Sequence, residues 1–160
     1  MKYQYTLETS IELPIAHRLD SAYSGLCVGN VGTDGQPTEG NPIYHGHNYN
    51  VTISIITSQI NNDHMVADFK LIKKTIHEYF DQYDHSLILK EGDPLIEFYK
   101  NNSPNSRLFI WDTNPTAEYM SCLWLEEMKA RLVKLIPDVR VKIKVEETSH
   151  NSVTCEEING

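Results

Sequence analysis

The residues best suited to chemistry in this chain are histidines set two positions apart. In Tyr44-His45-Gly46-His47-Asn48-Tyr49-Asn50-Val51-Thr52-Ile53-Ser54-Ile55, a β-strand would put His45, His47, Tyr49, Val51, Ile53 and Ile55 on one face, because alternate side chains of a strand share a side. Two imidazoles then head an apolar stripe. Neutral imidazole is a common metal ligand, so the pair can chelate one zinc ion; the same pattern also serves two histidines at a polar strand end. Gly46 clears the opposite face and lets another group approach the backbone.

A second stripe strengthens the metal reading. Over Leu7 to Leu19, the odd positions Ile11, Leu13, Ile15, His17 and Leu19 alternate with more polar ones. His17 alone could be a hydrogen-bonded core histidine, but if the two strands pair antiparallel it joins His45 and His47. Three protein nitrogens leave a tetrahedral zinc one open position, the mark of a catalytic rather than a structural site.

Other candidates are weaker alone. Asp84-His85 becomes an acid/base pair if the carboxylate orients the imidazole and raises its basicity, and is otherwise a solvated helix end. Glu147 continues the apolar face Val139, Val141, Ile143, Val145 of a late strand. A carboxylate there is costly unless paired, which makes it either a ligand anchor or a frayed strand end. Between the two histidine-bearing strands, residues 20–43 form a loop rich in Gly, Ser, Thr, Asn and Pro. It is far longer than a hairpin needs, and it carries Cys27 and Glu39.

The elements that must position these residues follow from periodicity. Asp68 opens a helix whose Phe69, Ile72, Ile76, Tyr79, Phe80 and Tyr83 recur at helical spacing, with His64 and His77 expected on the surface. Residues 90–107 are irregular around a possible short helix at Leu95, Ile96, Phe98 and Tyr99. A short strand, Leu108 to Trp111, leads to Asn114 as N-cap and Pro115 at the first position of a second long helix reaching Pro137. Cys122 is expected as a packed residue of that helix. Strands over Val139 to Thr148 and Ser152 to Ile158 complete a ββααββ order.

Length and composition predict a single domain over 1–160 with a proper core. A net charge of -8 without a basic run gives no footprint for nucleic acid or an anionic membrane. An anionic small ligand would need a local positive source such as a metal. Three cysteines at unpatterned spacings indicate no disulfide framework and are expected to be reduced. The N-terminus lacks signal-peptide features and no apolar run could cross a bilayer, so a cytoplasmic location is expected.

Taken in order, Ala16-His17-Arg18-Leu19, His45-Gly46-His47-Asn48-Tyr49, Met65-Val66-Ala67-Asp68-Phe69, Asp84-His85, Asn114-Pro115-Thr116-Ala117-Glu118 and Glu147-Thr148 resemble the 6-pyruvoyl-tetrahydropterin synthase and 6-carboxytetrahydropterin synthase (queuosine-pathway) family. The resemblance covers nearly the whole chain. It implies an α+β tunnelling fold, with an antiparallel sheet, two helices on one face, and sheets joined into barrels by oligomerisation. It also implies homohexamers of two trimers, with active sites at subunit interfaces. Zinc on His17, His45 and His47 would hold and acidify the side-chain hydroxyls of 7,8-dihydroneopterin triphosphate. His85, oriented by Asp84, would transfer a proton, Glu147 would anchor the pterin edge, and Thr116 would contact the pterin.

One departure concerns the catalytic cysteine that such synthases carry shortly before the His-Gly-His. In the spelling Cys-x-x-Pro-x-x-His-Gly-His its place is taken by Glu39, followed by Pro42 and His45; in a shorter spelling Asn41 falls there. Glutamate-bearing members resemble enzymes that cleave the substrate's side chain to 6-hydroxymethyl-7,8-dihydropterin, a folate precursor. Cys27 could instead return from the loop as the thiolate, or neither residue could serve. A non-catalytic zinc- and pterin-binding homologue is the reading from outside enzymology.

Overall fold

The computed structural model describes residues 3–19 and 44–158. Six strands and three helices are described: β1 (Tyr5–His17), β2 (His45–Thr57), α1 (Phe69–Phe80), β3 (Ser86–Lys90), α2 (Leu95–Asn102), β4 (Leu108–Trp111), α3 (Ala117–Leu132), β5 (Arg140–Glu146) and β6 (Ser152–Glu156). The strands hydrogen-bond in the order β4-β3-β1-β2-β5-β6. The chain groups into two compact units, and β1 and β2 run through both.

In the unit formed by residues 1–13, 49–82 and 117–160, β5 pairs antiparallel with both β2 and β6. The predicted alternation is realised: Tyr49, Val51, Ile53 and Ile55 of β2 and Val141, Ile143 and Val145 of β5 are buried. Helix α3 packs on β5 and β6 and touches α1. Between the two helices Phe80 meets Trp124 edge to face, ring centroids 5.3 Å apart. Asp68 caps α1, its carboxylate accepting from the Lys70 backbone N–H at 2.7 Å. His77 is exposed and lies 3.1 Å from Asp81, and His64 is exposed too, both as expected.

In the unit formed by residues 14–48 and 83–116, β1 pairs with β3 and β3 with β4, both in parallel. The sheet is therefore mixed where the resemblance implies an antiparallel one, and the short helix read at Leu95 to Tyr99 is present as α2, a third helix beside the two implied. Ser86–Lys90 was not anticipated as a strand. Its Ser86, Ile88 and Leu89 are buried, and a short apolar run covered on both faces, as in parallel sheets, shows no alternation.

Two local expectations also change. Helix α3 starts at Ala117, two residues later than expected, so Asn114 and Pro115 lie before it. Cys122 is not packed but exposed, its sulfur 2.8 Å from that of Cys155 on β6.

Candidate metal centre and its surroundings

His17 closes β1, and His45 and His47 open β2. Within the second unit their three ligating atoms lie within 4.8 Å of one another. His17 is 1% exposed; the other two are half-buried. Gly46 eases the close approach of the two strands: a Cβ there would stand a tight 3.1 Å from the Ile15 carbonyl oxygen and 3.4 Å from the Ala16 Cα. The close approach expected at Gly46 is that of the β1 backbone.

The tautomer of His17 follows from its partner. Nδ1 lies 2.7 Å from the carbonyl oxygen of Pro115, and since a carbonyl only accepts, Nδ1 carries the proton. Nε2 then presents its lone pair, 3.1 Å from Nε2 of His45. Tetrahedral zinc with nitrogens at about 2.0–2.1 Å spaces them about 3.3 Å apart. The His17–His45 separation is close to that, and the three rings, whose ligating atoms all lie within 4.8 Å, could hold the ion with a fourth position left for another ligand. A bond from Nδ1 to a backbone carbonyl is the kind of outer support that orients a metal-ligating ring.

Beside the three histidines, Arg18 donates to Asp93 at 2.7 Å and to the Tyr44 hydroxyl at 3.1 Å, and Tyr44 donates to Asp93 at 2.8 Å. Burial works to lower the Arg18 pKa, but the hydrogen bond and charge of Asp93 raise it above its ordinary value. The Tyr44 phenol is raised by burial and then by Asp93. The three residues clasp the chain next to His17 and His45.

Asp84 and His85 also belong to this unit. The Asp84 carboxylate lies 2.9 Å from Nδ1 of His85, whose side chain is 78% exposed. Arg107 donates to the Asp84 carbonyl at 2.6 Å. His85 holds a left-handed backbone, φ 55°, with its N–H donating to the Pro14 carbonyl at 2.9 Å. With Pro14, Ile15, Ala16, Gly46, His47, Asn48 and Ser86 it lines a cleft of about 340 Å³, so the acid/base candidate and one metal-ligand candidate face the same space. Thr116 is half-buried, one residue beyond the carbonyl that holds His17.

Glu147 belongs to the other unit, just past β5, where its N–H donates to the Asn151 carbonyl at 3.1 Å. Its carboxylate accepts from the Tyr49 hydroxyl at 3.1 Å. Glu39 and Cys27 lie outside the described residues. Sequence reasoning missed the Pro115 carbonyl and the Asp93 clasp and read Tyr49 only as part of an apolar stripe. Gly92-Asp93-Pro94 is a turn signal that could have drawn attention to Asp93.

Residues 6–158 match the family described as 6-pyruvoyl tetrahydropterin synthase. This chain belongs to the 6-pyruvoyl tetrahydropterin synthase family. It is 36% identical over 75 residues to the 6-carboxy-5,6,7,8-tetrahydropterin synthase of Rickettsia felis, covering 46% of this chain and 54% of the relative. To the 6-carboxy-5,6,7,8-tetrahydropterin synthase of Aquifex aeolicus it is 26% identical over 119 residues, covering 71% of this chain and 74% of that protein. The chain thus spans about half the length of the Rickettsia relative. Among solved structures, that of a Plasmodium vivax 6-pyruvoyltetrahydropterin synthase whose catalytic glutamate is replaced by alanine superposes with a TM-score of 0.67 at 17% identity, covering 97% of this chain and 98% of that one. At that identity the likeness is one of fold. Among the described residues no helix is long and apolar enough to cross a membrane.

Proposed function

We propose that this family member is a zinc-dependent lyase that takes 7,8-dihydroneopterin triphosphate, releases triphosphate and leaves a 6-substituted pterin. The observation that carries the reading is the convergence of three imidazole nitrogens within 4.8 Å, with His17 held as the Nδ1 tautomer. The tetrahydropterin synthases among its relatives support the substrate class.

In this reading His17, His45 and His47 hold the zinc, which when bound acts as a Lewis acid towards the side-chain hydroxyls of the substrate. His85 moves a proton with Asp84 holding its Nδ1. The two carboxylate oxygens of Glu147 accept from the pterin's ring N–H donors in bidentate fashion, and Thr116 contacts the ring. Glu39 is the acid/base in the position the family gives to a cysteine. The proposed assembly is a homohexamer of two trimers in the cytoplasm, with sites shared between subunits.

Glu39 also favours a second product. A carboxylate's ordinary pKa lies about four units below a thiol's, so the residue is a weaker base unless buried, and the chemistry changes with it. The catalytic glutamate of the Plasmodium vivax enzyme supports a glutamate-run variant of the reaction. Side-chain cleavage to 6-hydroxymethyl-7,8-dihydropterin is the corresponding outcome; a 6-carboxy or 6-pyruvoyl product points to a thiolate and to Cys27.

Replacing His45 with Ala tests the metal's role. Bound zinc and turnover should be lost together, while full turnover in a zinc-free variant would remove the metal from the mechanism. Retained zinc and pterin binding without turnover in the unaltered protein would favour a binding homologue.

A further inference from the structure

Cys122 lies within α3 and Cys155 within β6, both in the unit that contains those elements. Their sulfurs are 2.8 Å apart. Neither sits on a loop tip: α3 packs along β6, and Cys155 is in register with Ile143 of β5. Two packed elements therefore hold the thiols face to face. Cys122 is exposed and Cys155 half-buried, so a small oxidant in solution meets Cys122 first.

We propose that Cys122 and Cys155 form a reversible disulfide that ties α3 to β6 when the protein meets a low-molecular-weight disulfide such as oxidised glutathione. The Cys122 thiolate attacks one sulfur of the oxidant, expels one glutathione thiolate and leaves a mixed disulfide. Cys155, on losing its proton, attacks the Cys122 sulfur and expels the second glutathione thiolate. Two protein thiols are oxidised, one glutathione disulfide is reduced to two thiols, and the released protons end on the departing sulfurs.

The surroundings bear on how long the bond lasts. Burial first, then the neighbouring Cys122, push the Cys155 thiol up to about 11. A reductant reaches the exposed Cys122 sulfur and must expel Cys155, which is a poor leaving group for that reason. The raised pKa also slows the closing attack, which needs the Cys155 thiolate, so proximity is what favours the bond, and once formed it reopens slowly. It sits on the β5–β6 hairpin, whose turn holds Glu147.

The test uses the full chain, reduced, freed of reductant, incubated with oxidised glutathione, alkylated and digested for mass spectrometry. Alkylatable cysteines should fall from three to one, with a peptide cross-linking Cys122 to Cys155 within one chain and no retained glutathione. Separate alkylation of both cysteines, stable glutathione on either, a link to Cys27 or a link between chains would each overturn the proposal. In Cys122→Ser, Cys155 should remain alkylatable after the same treatment; the peptide map of the unaltered protein decides the matter however that variant folds.

Discussion

Nδ1 of His17 donates to the carbonyl of Pro115 at 2.7 Å, joining residues 98 positions apart in sequence. The start of α3 at Ala117 leaves that carbonyl outside the helix, ahead of the residues whose carbonyls serve the helical ladder. A helix boundary thus sets the tautomer of a metal-ligand candidate.

His17→Ala and His45→Ala should both lose zinc, yet differ in stability without metal. Removing the 1% exposed His17 ring strips the donor from the buried Pro115 carbonyl, at a cost of about 1–3 kcal/mol beyond the loss of packing. Urea unfolding of the two metal-free variants should place His17→Ala lower; equal midpoints would mean that the bond contributes nothing.

Gly46→Ala should weaken zinc binding though it touches no ligand atom. The new Cβ, 3.1 Å from the Ile15 carbonyl oxygen, must push β1 and β2 apart between His45 and His47, and such overpacking costs about 1–3 kcal/mol. Competition with a chromophoric chelator would show the loss, and unchanged affinity would show that the strands yield freely.

Tyr49→Phe removes the hydroxyl that orients Glu147 at 3.1 Å. If Glu147 binds the pterin edge, KM should rise roughly tenfold, the equivalent of about 1.4 kcal/mol, with kcat nearly unchanged. Steady-state kinetics on the pterin triphosphate would check it. A fall in kcat at constant KM would detach Glu147 from substrate binding.

The Cys155 thiol, raised by burial and by Cys122 from 9.0 to about 11, favours its protonated form in the folded chain. The folded state therefore holds this proton more tightly than the unfolded one. The contribution is fully present below pH 9 and is lost as pH rises through about 11. Denaturation of the reduced protein across that window should be steeper in pH than that of Cys155→Ser; parallel profiles would contradict the shift.

Much of the fold was legible because burial here follows simple periods. Leu13, Ile15 and His17 of β1 and Tyr49, Val51, Ile53 and Ile55 of β2 are buried in the alternation the sequence displays, as are Val141, Ile143 and Val145 of β5. Ser86–Lys90 was not legible, since its pairing with residues 15–17 is parallel and remote in sequence and its two faces are both covered. The histidine cluster was legible from side-chain type and spacing. The Pro115 carbonyl was not, because every residue carries a carbonyl and only the fold selects one. The proximity of Cys122 to Cys155 depends on the docking of α3 against β6, which no spacing in the chain reports.

The most direct test of the central claim is to incubate the zinc-loaded protein with 7,8-dihydroneopterin triphosphate and identify the pterin product by mass spectrometry. The account predicts a 6-substituted pterin: a 6-pyruvoyl or 6-carboxy product comes with released triphosphate, whereas 6-hydroxymethyl-7,8-dihydropterin, the form expected if Glu39 is the base, comes with the triphosphate still on the excised side-chain fragment. Unchanged substrate in the presence of bound zinc would contradict it.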